Sequence, residues 1–262
     1  MAAHAIISFQ LHSARKFGTL DDQLATLAEI GYRHVETVPT LTEDAAATRE
    51  ALDRHGMAAP TGHFALSALT EDFDSTVAAA DTLGTQLVVI PFLPPEARPR
   101  NAAGWRGLAA RISDIRRRLS DHGLACAWHN HDFELVAQED GSVPLDLLLG
   151  GDAALKWEAD IGWIRCAGAA PQVWLDRYAG RVAALHIKDL APEGENLDED
   201  GWADVGHGTI DWEALWPTCL AIAAPWFIVE HDNPSDFARF ARRSFETLTA
   251  LGAVPAPAAK PA

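Results

Sequence analysis

Short apolar runs alternate with helix-patterned stretches along this chain, and the pair recurs eight times at intervals of roughly 25–35 residues. The runs fall at 5–11 (AIISFQL), 34–38 (HVETV), 58–64, 86–92 (QLVVIPF), 124–135 (LACAWHNHDFEL), 154–161 (ALKWEADI), 182–189 (VAALHIKD) and 226–232 (WFIVEHD). Apolar residues at helical spacing lie between them: 20–30 closed by Gly31, 42–55 by Gly56, 75–83 by Gly84 and 103–122 by Gly123. Shorter helices are expected at 145–149 and 171–178, each entered through a proline, then at 211–223 and at 235–251 with Ser235 as its cap. Strands joined through helices lie parallel, with right-handed crossovers. Eight such units in about 250 residues predict a single α/β domain, a closed (β/α)8 TIM barrel over residues 1–251. A doubly wound open sheet is the alternative, but no GxGxxG follows the first run and no GxxxxGK[ST] occurs. Residues 252–262, rich in Pro and Ala, read as a disordered tail.

The 262 residues carry 21 Lys and Arg against 37 Asp and Glu, a formal charge of −16. Such a surface repels polyanions, so nucleic acid and anionic membrane are poor partners. The three cysteines, Cys126, Cys166 and Cys219, are widely spaced without CxxC pairing and read as reduced thiols of a cytoplasmic protein. The first residues lack the basic segment and long apolar core of a signal peptide, and no apolar run approaches a membrane span. A small-molecule ligand is the expected partner, with a homo-oligomer open.

In a barrel, the carboxyl ends of the strands converge on one mouth. Those ends carry Glu36, His63, His129, His131, Glu134, Asp160, His186, Lys188 and Glu230. Carboxylates with imidazole suit one divalent ion, Mn2+, Mg2+, Co2+, Fe2+ or Zn2+, rather than a thiolate site. Glu134, Asp160, His186 and Glu230 are the expected ligands. His129 or His131 can replace Glu134, which lies just past its strand. Each has a plainer reading: Asp160 as a turn cap, Glu230 as an ion-pair member, His186 as a core histidine, and Lys188 as the partner of Asp189 or Glu158. Trp128, Trp157, Trp163 and Trp202 flank these positions, where rings can stack on a sugar or simply fill the barrel mouth. Gly206-His207-Gly208 reads first as a structural turn, although its backbone and His207 can also approach a ligand.

HNHDFEL, EADIGWIRCAG, GRVAALHIKD, VGHGTIDW and IVEHD occur here in the order found in sugar phosphate isomerase/epimerase proteins of the xylose isomerase-like TIM-barrel superfamily. The resemblance runs over about residues 4–251. It implies a metal-dependent barrel acting on sugars, sugar acids or cyclitols, with Asp160, His186 and Glu230 matching three of the family's four ligand positions. At the first position many relatives carry a glutamate where this chain has Trp128-His129, as in members similar to inosose dehydratase.

The leading expectation is a metal-dependent isomerase or epimerase of a ketose, keto-sugar or cyclitol, working through an enediolate. His131 or Glu230 would take the proton and Lys188 would steady the oxyanion. Glu36, His63, His129, Trp163 and His207 are expected to bind substrate. A lyase or dehydratase shares the first step. A carbohydrate-binding protein without catalysis is the alternative outside enzymes, and DNA repair of the endonuclease IV type is disfavoured by the charge.

Overall fold

The computed structural model describes residues 5–254. Eight parallel strands close into a barrel: β1 (Ile6–Gln10), β2 (His34–Thr37), β3 (Ala58–His63), β4 (Leu87–Ile90), β5 (Ala125–His129), β6 (Lys156–Asp160), β7 (Val182–Ile187) and β10 (Trp226–Val229). β1 pairs with both β2 and β10, so the sheet has no free edge. Two further strands, β8 (Asp189–Leu190) and β9 (Trp202–Ala203), form an antiparallel pair in the excursion after β7.

Alternation along the strands sorts side chains into two compartments. Leu87, Val89, Ala127, Ala184 and Ile228 pack together as one small apolar cluster. Their strand neighbours Val88, Ile90, Cys126, Trp128, Leu185 and Ile187 belong to the main core. The interior cluster is thin because the polar residues of the same strands, Gln10, Glu36, Thr61, His63, His129, Glu158, Asp160 and His186, are also buried. The barrel therefore gives up apolar filling at its carboxyl end to hold charge.

The helix Phe237–Ala250 places Phe237, Phe240, Ala241, Ser244 and Leu248 on one buried face, the spacing of an amphipathic helix against a core. Tyr32 donates to the Ala241 carbonyl at 2.9 Å. The cap of this helix is Asp236, which accepts from Arg239 N–H at 3.0 Å. Ser235, expected there, gives its N–H and hydroxyl to Glu199 instead. The expected helix at 42–55 is two pieces, Pro39–Thr42 and Ala45–Arg54, the second capped by Asp44. Tail residues from 255 lie outside the described residues, but the first of the expected tail is ordered: Ala253 is buried, and Val254 bridges to Ile6 and donates to the Ala5 carbonyl. Among the described residues no helix is long and apolar enough to cross a membrane.

Candidate functional site

Register explains how distant residues meet. His129 is aligned with Glu158, Asp160 with His186, and His186 with Ile228, two residues before Glu230. Gln10 is aligned with Glu36 on the other side of the closure. The barrel thus brings carboxylate and imidazole from six strands into one buried cluster.

Its upper part holds His129, Asp160, His186 and Glu230, whose ligand atoms lie within 4.8 Å of one another. Asp160 divides its work. Oδ1 accepts the Trp163 N–H at 2.8 Å and caps the short helix Ile161–Cys166, so the plain capping reading holds for that oxygen. Oδ2 is buried with no hydrogen-bond partner and stands 3.8 Å from both His129 Nε2 and His186 Nδ1. His186 Nδ1 is 2.8 Å from Glu230 Oε2. An orphaned buried oxygen facing two ring nitrogens fits a bound cation, since leaving it bare is unfavourable.

Lys188 closes this set from the side. Its ammonium is fully buried, 2.7 Å from Asp232, 3.3 Å from Glu230 and 3.7 Å from Asp160, with the Trp202 ring 4.2 Å away. Burial pulls its pKa down, but Asp232 and Glu230 outweigh that and hold it above the ordinary lysine value. Burial alone would raise Glu230; the Lys188 and His186 charges hold it well below the usual carboxylate range. Burial pushes Asp160 up to about 7 in spite of Lys188. Neither alternative partner of Lys188 is realised. Glu158 belongs to the lower cluster, and Asp189 turns away to accept from Leu190, Gly206, Gly208, Ile210 and the Trp212 indole. The Gly-His-Gly segment is accordingly a structural turn gathered by Asp189. Its His207 is exposed and lines a separate cavity of about 430 Å³ with Asp204 and Arg239, away from the cluster.

The lower part holds Glu36, His63, Glu158 and the Nε2 face of His186. Burial opposes ionisation of Glu158, yet the His186 and His63 charges bring it down to about 2. Burial lowers His63, but Glu36 and Glu158 lift it to about 10. Glu36, expected to touch substrate, sits in this layer with Gln10 donating to it at 2.7 Å.

Above the cluster opens a cavity of about 390 Å³ lined by His12, His63, Phe92, His131, Glu230 and Asp232 among others. His131 stacks on Phe133 and lies near Trp163, and its buried Nδ1 has no partner. Burial, with Lys188 adding to it, drops its pKa to about 3 and leaves the ring neutral. Glu134 is not brought to this cluster. It lies buried beneath the loop, accepting from His131 N–H at 2.9 Å and the Trp128 indole at 3.2 Å, and burial raises it to about 8. As an acceptor for its own loop it shapes the path of residues 131–134, and His129 stands in its place among the four residues that could hold an ion. Trp128 and Trp157 face the outer core, the latter donating to Asn130 at 2.9 Å. Trp163, expected to bind substrate, packs edge-on against Trp202 beside the Lys188 ammonium, and neither ring lines the cavity above the cluster.

Sequence reasoning missed Glu158 as a cluster member and did not single out Gln10, Phe92 or Asp232. The signal for Glu158 was present: it is two residues before Asp160 in one strand and so shares its face.

The family model of the xylose isomerase-like TIM barrel matches residues 24–251. The rhizopine catabolism protein MocC of Rhizobium meliloti is 22% identical over 89% of this chain and 82% of its own length. The inosose dehydratase of Clostridium beijerinckii is 22% identical over 89% and 91%. Among solved structures, a sugar phosphate isomerase/epimerase from Parabacteroides distasonis superposes with a TM-score of 0.77 at 17% identity, covering 95% of each chain. The IolI protein with a bound zinc atom gives 0.72 at 16%, covering 94% of this chain and 97% of its own. With its closed eight-stranded barrel and a match over most of its length, this chain belongs to the xylose isomerase-like TIM barrel family.

Proposed function

We infer that this protein is a metal-dependent isomerase or epimerase of a ketose, keto-sugar or cyclitol, acting by proton abstraction next to a carbonyl. The observation that carries this reading is the gathering of His129, His186 and Glu230 around Asp160 Oδ2, which accepts no hydrogen bond, with the Lys188 ammonium alongside. A divalent ion held by these four residues would polarise a carbonyl and its neighbouring hydroxyl and acidify the C–H between them. The bound zinc of the IolI neighbour supports an ion in a barrel of this kind.

The remaining roles fall to the chain itself. Glu230 is ionised and lines the cavity, which makes it the first candidate base. His131, neutral with a free Nδ1, is the second. Lys188, held protonated by Asp232 and Glu230, is fully buried behind the cavity lining and acts through Glu230, which it keeps ionised for proton abstraction. The cavity lining includes Phe92, which is 42% exposed and offers an aromatic edge to sugar C–H groups, and it contains no Arg or Lys. That lining favours an unphosphorylated substrate. A dehydratase, in which the same proton abstraction is followed by loss of a β-hydroxyl, is the second reading, favoured by the matched inosose dehydratase.

The test is a panel of ketoses, 3-keto-glycosides and inososes in D2O with Mn2+, Co2+ or Zn2+, followed by NMR, beside metal content of wild type and Glu230→Gln. Deuterium in recovered substrate or its epimer supports isomerisation. Loss of water moves the protein to the dehydratase reading. A wild type that holds no ion overturns the metal mechanism, and one that holds an ion but exchanges no proton overturns the proton-abstraction chemistry.

A further inference from the structure

Below the upper ligands, four atoms form a closed ring: Glu36 Oε1, His63 Nε2, Glu158 Oε2 and His186 Nε2. The edges, taken in order, are 3.0, 2.8, 3.1 and 2.8 Å. Each ring nitrogen therefore faces two carboxylate oxygens at once. A ring nitrogen carries at most one proton, so two N–H groups serve four short contacts. Only two edges have hydrogen-bond geometry, His63 to Glu158 and His186 to Glu36. The other two are as close but not aligned as hydrogen bonds. Hydrogen bonding alone accounts for half of the ring.

A cation held between the four atoms would meet all four contacts at once. With bonds of about 2.0–2.1 Å, ligands at right angles stand about 2.9 Å apart and tetrahedral ligands about 3.3–3.4 Å apart. The observed edges match the right-angled case. A second observation is independent of the ring: Glu36 Oε2 and Glu158 Oε1, the other oxygens of the same two carboxylates, are buried without any hydrogen-bond partner. Both residues are fully buried, so bulk solvent does not reach these oxygens. The Lys188 ammonium, which already compensates Asp160 and Glu230, has its short contacts with those residues and Asp232, on the upper set. His129 Nδ1, 3.1 Å from Glu158 Oε2, stands by as a further donor.

We propose that the barrel holds a second, deeper divalent-cation site made by Glu36, His63, Glu158 and Nε2 of His186, suited to a six-coordinate transition ion rather than to tetrahedral zinc. The proposal extends the reading above, because the two sites share the His186 ring, Nδ1 serving the upper one and Nε2 the lower. With both filled, the ring would bridge them as an imidazolate, giving up to solvent both of its N–H protons, which now go to Glu230 and Glu36.

The test separates the sites by substitution and reads ion content, not turnover. Metal-free protein is titrated with Co2+, following d–d absorption and bound cobalt, in the Asp160→Asn/Glu230→Gln double variant, the Asp160→Asn single variant, Glu36→Gln and the triple variant. The single variant guards against a double variant that fails to fold, and circular dichroism checks each protein. The expected result is about one six-coordinate Co2+ per chain in the upper-site variants, weakened at least about tenfold when Glu36→Gln is added. Folded upper-site variants that bind no Co2+, while Glu36→Gln alone keeps its ion, overturn the deeper site and leave the functional reading intact. The reverse pattern, an ion kept by the upper-site variants and lost by Glu36→Gln alone, supports the deeper site and overturns the upper one.

Discussion

Replacing Lys188 with methionine keeps a long apolar stem in the barrel and deletes one buried charge. Three carboxylates lose their counter-ion: Asp232 at 2.7 Å, Glu230 at 3.3 Å and Asp160 at 3.7 Å. At an effective dielectric near 20 each attraction is worth about 4–6 kcal/mol gross. Desolvation of the ammonium offsets much of that sum, and removing one partner of a buried ion pair costs about 3–5 kcal/mol net. That is a large share of a total stability of about 5–15 kcal/mol. The loss should depend on pH in a definite direction. Asp160 already titrates near 7 because it is buried, and without Lys188 the carboxylates bind protons in the folded state that the unfolded chain does not. Low pH therefore relieves the variant, and its deficit grows as pH rises. A divalent ion placed between Asp160 and Glu230 restores positive charge, so it should stabilise the variant more than wild type. Urea unfolding of metal-free proteins at pH 5.5 and 8, with and without Mn2+, measures each part. A deficit under about 1 kcal/mol at pH 8 would refute the assignment of Lys188 as the counter-ion of this cluster.

Glu134→Gln should leave metal content unchanged, in contrast to Glu230→Gln. Burial lifts Glu134 to about 8, so the folded state binds its proton between about 4.5 and 8 while the unfolded state does not, and wild type loses stability relative to the variant across that window as pH rises. Parallel urea titrations at both ends of the window check the sign. Asp189→Ala removes the acceptor for five N–H groups and should destabilise by about 3–5 kcal/mol, with losses of about 1–3 kcal/mol per orphaned donor adding incompletely. Hydrogen exchange at residues 206–212 should rise before the rest of the barrel. Gly162→Ala brings a methyl group within 2.7 Å of Lys188 Cβ and 2.8 Å of the Trp202 ring. The expected outcome is about 1–3 kcal/mol of destabilisation, with lowered ion affinity as Lys188 is pushed against Asp160 and Glu230.

The barrel was legible because its evidence is periodic. Eight apolar runs separated by helical patterns leave few ways to pair strands, and the closure between β1 and β10 follows once the sheet is parallel and eight-stranded. Asp160, His186 and Glu230 were legible because each ends a run, and the end of a run is the mouth of the barrel. Glu134 was misplaced for a local reason. Counting along the chain cannot tell that it turns under the loop to take the His131 N–H and the Trp128 indole. Glu158 was passed over because it lies inside the apolar run, where a carboxylate reads as an ion-pair partner. Barrel closure, with His129 opposite Glu158, brings it against three imidazoles, His63, His129 and His186. The role of Asp189 depends on a loop 17–23 residues further on, a separation that carries no sequence period.

The pairing of Ile6 with Trp226 and the bridge from Ile6 to Val254 place the two ends of the described chain side by side. Barrel closure is thus the contact of greatest sequence separation, and it forms only when nearly the whole chain is present. Joining residues near 5 and 254 by a short linker, and opening the chain at the exposed turn around Gly141, would make that contact local. The rearranged chain should assemble the same barrel in a different order, closing early the seam that the natural order of strands closes last.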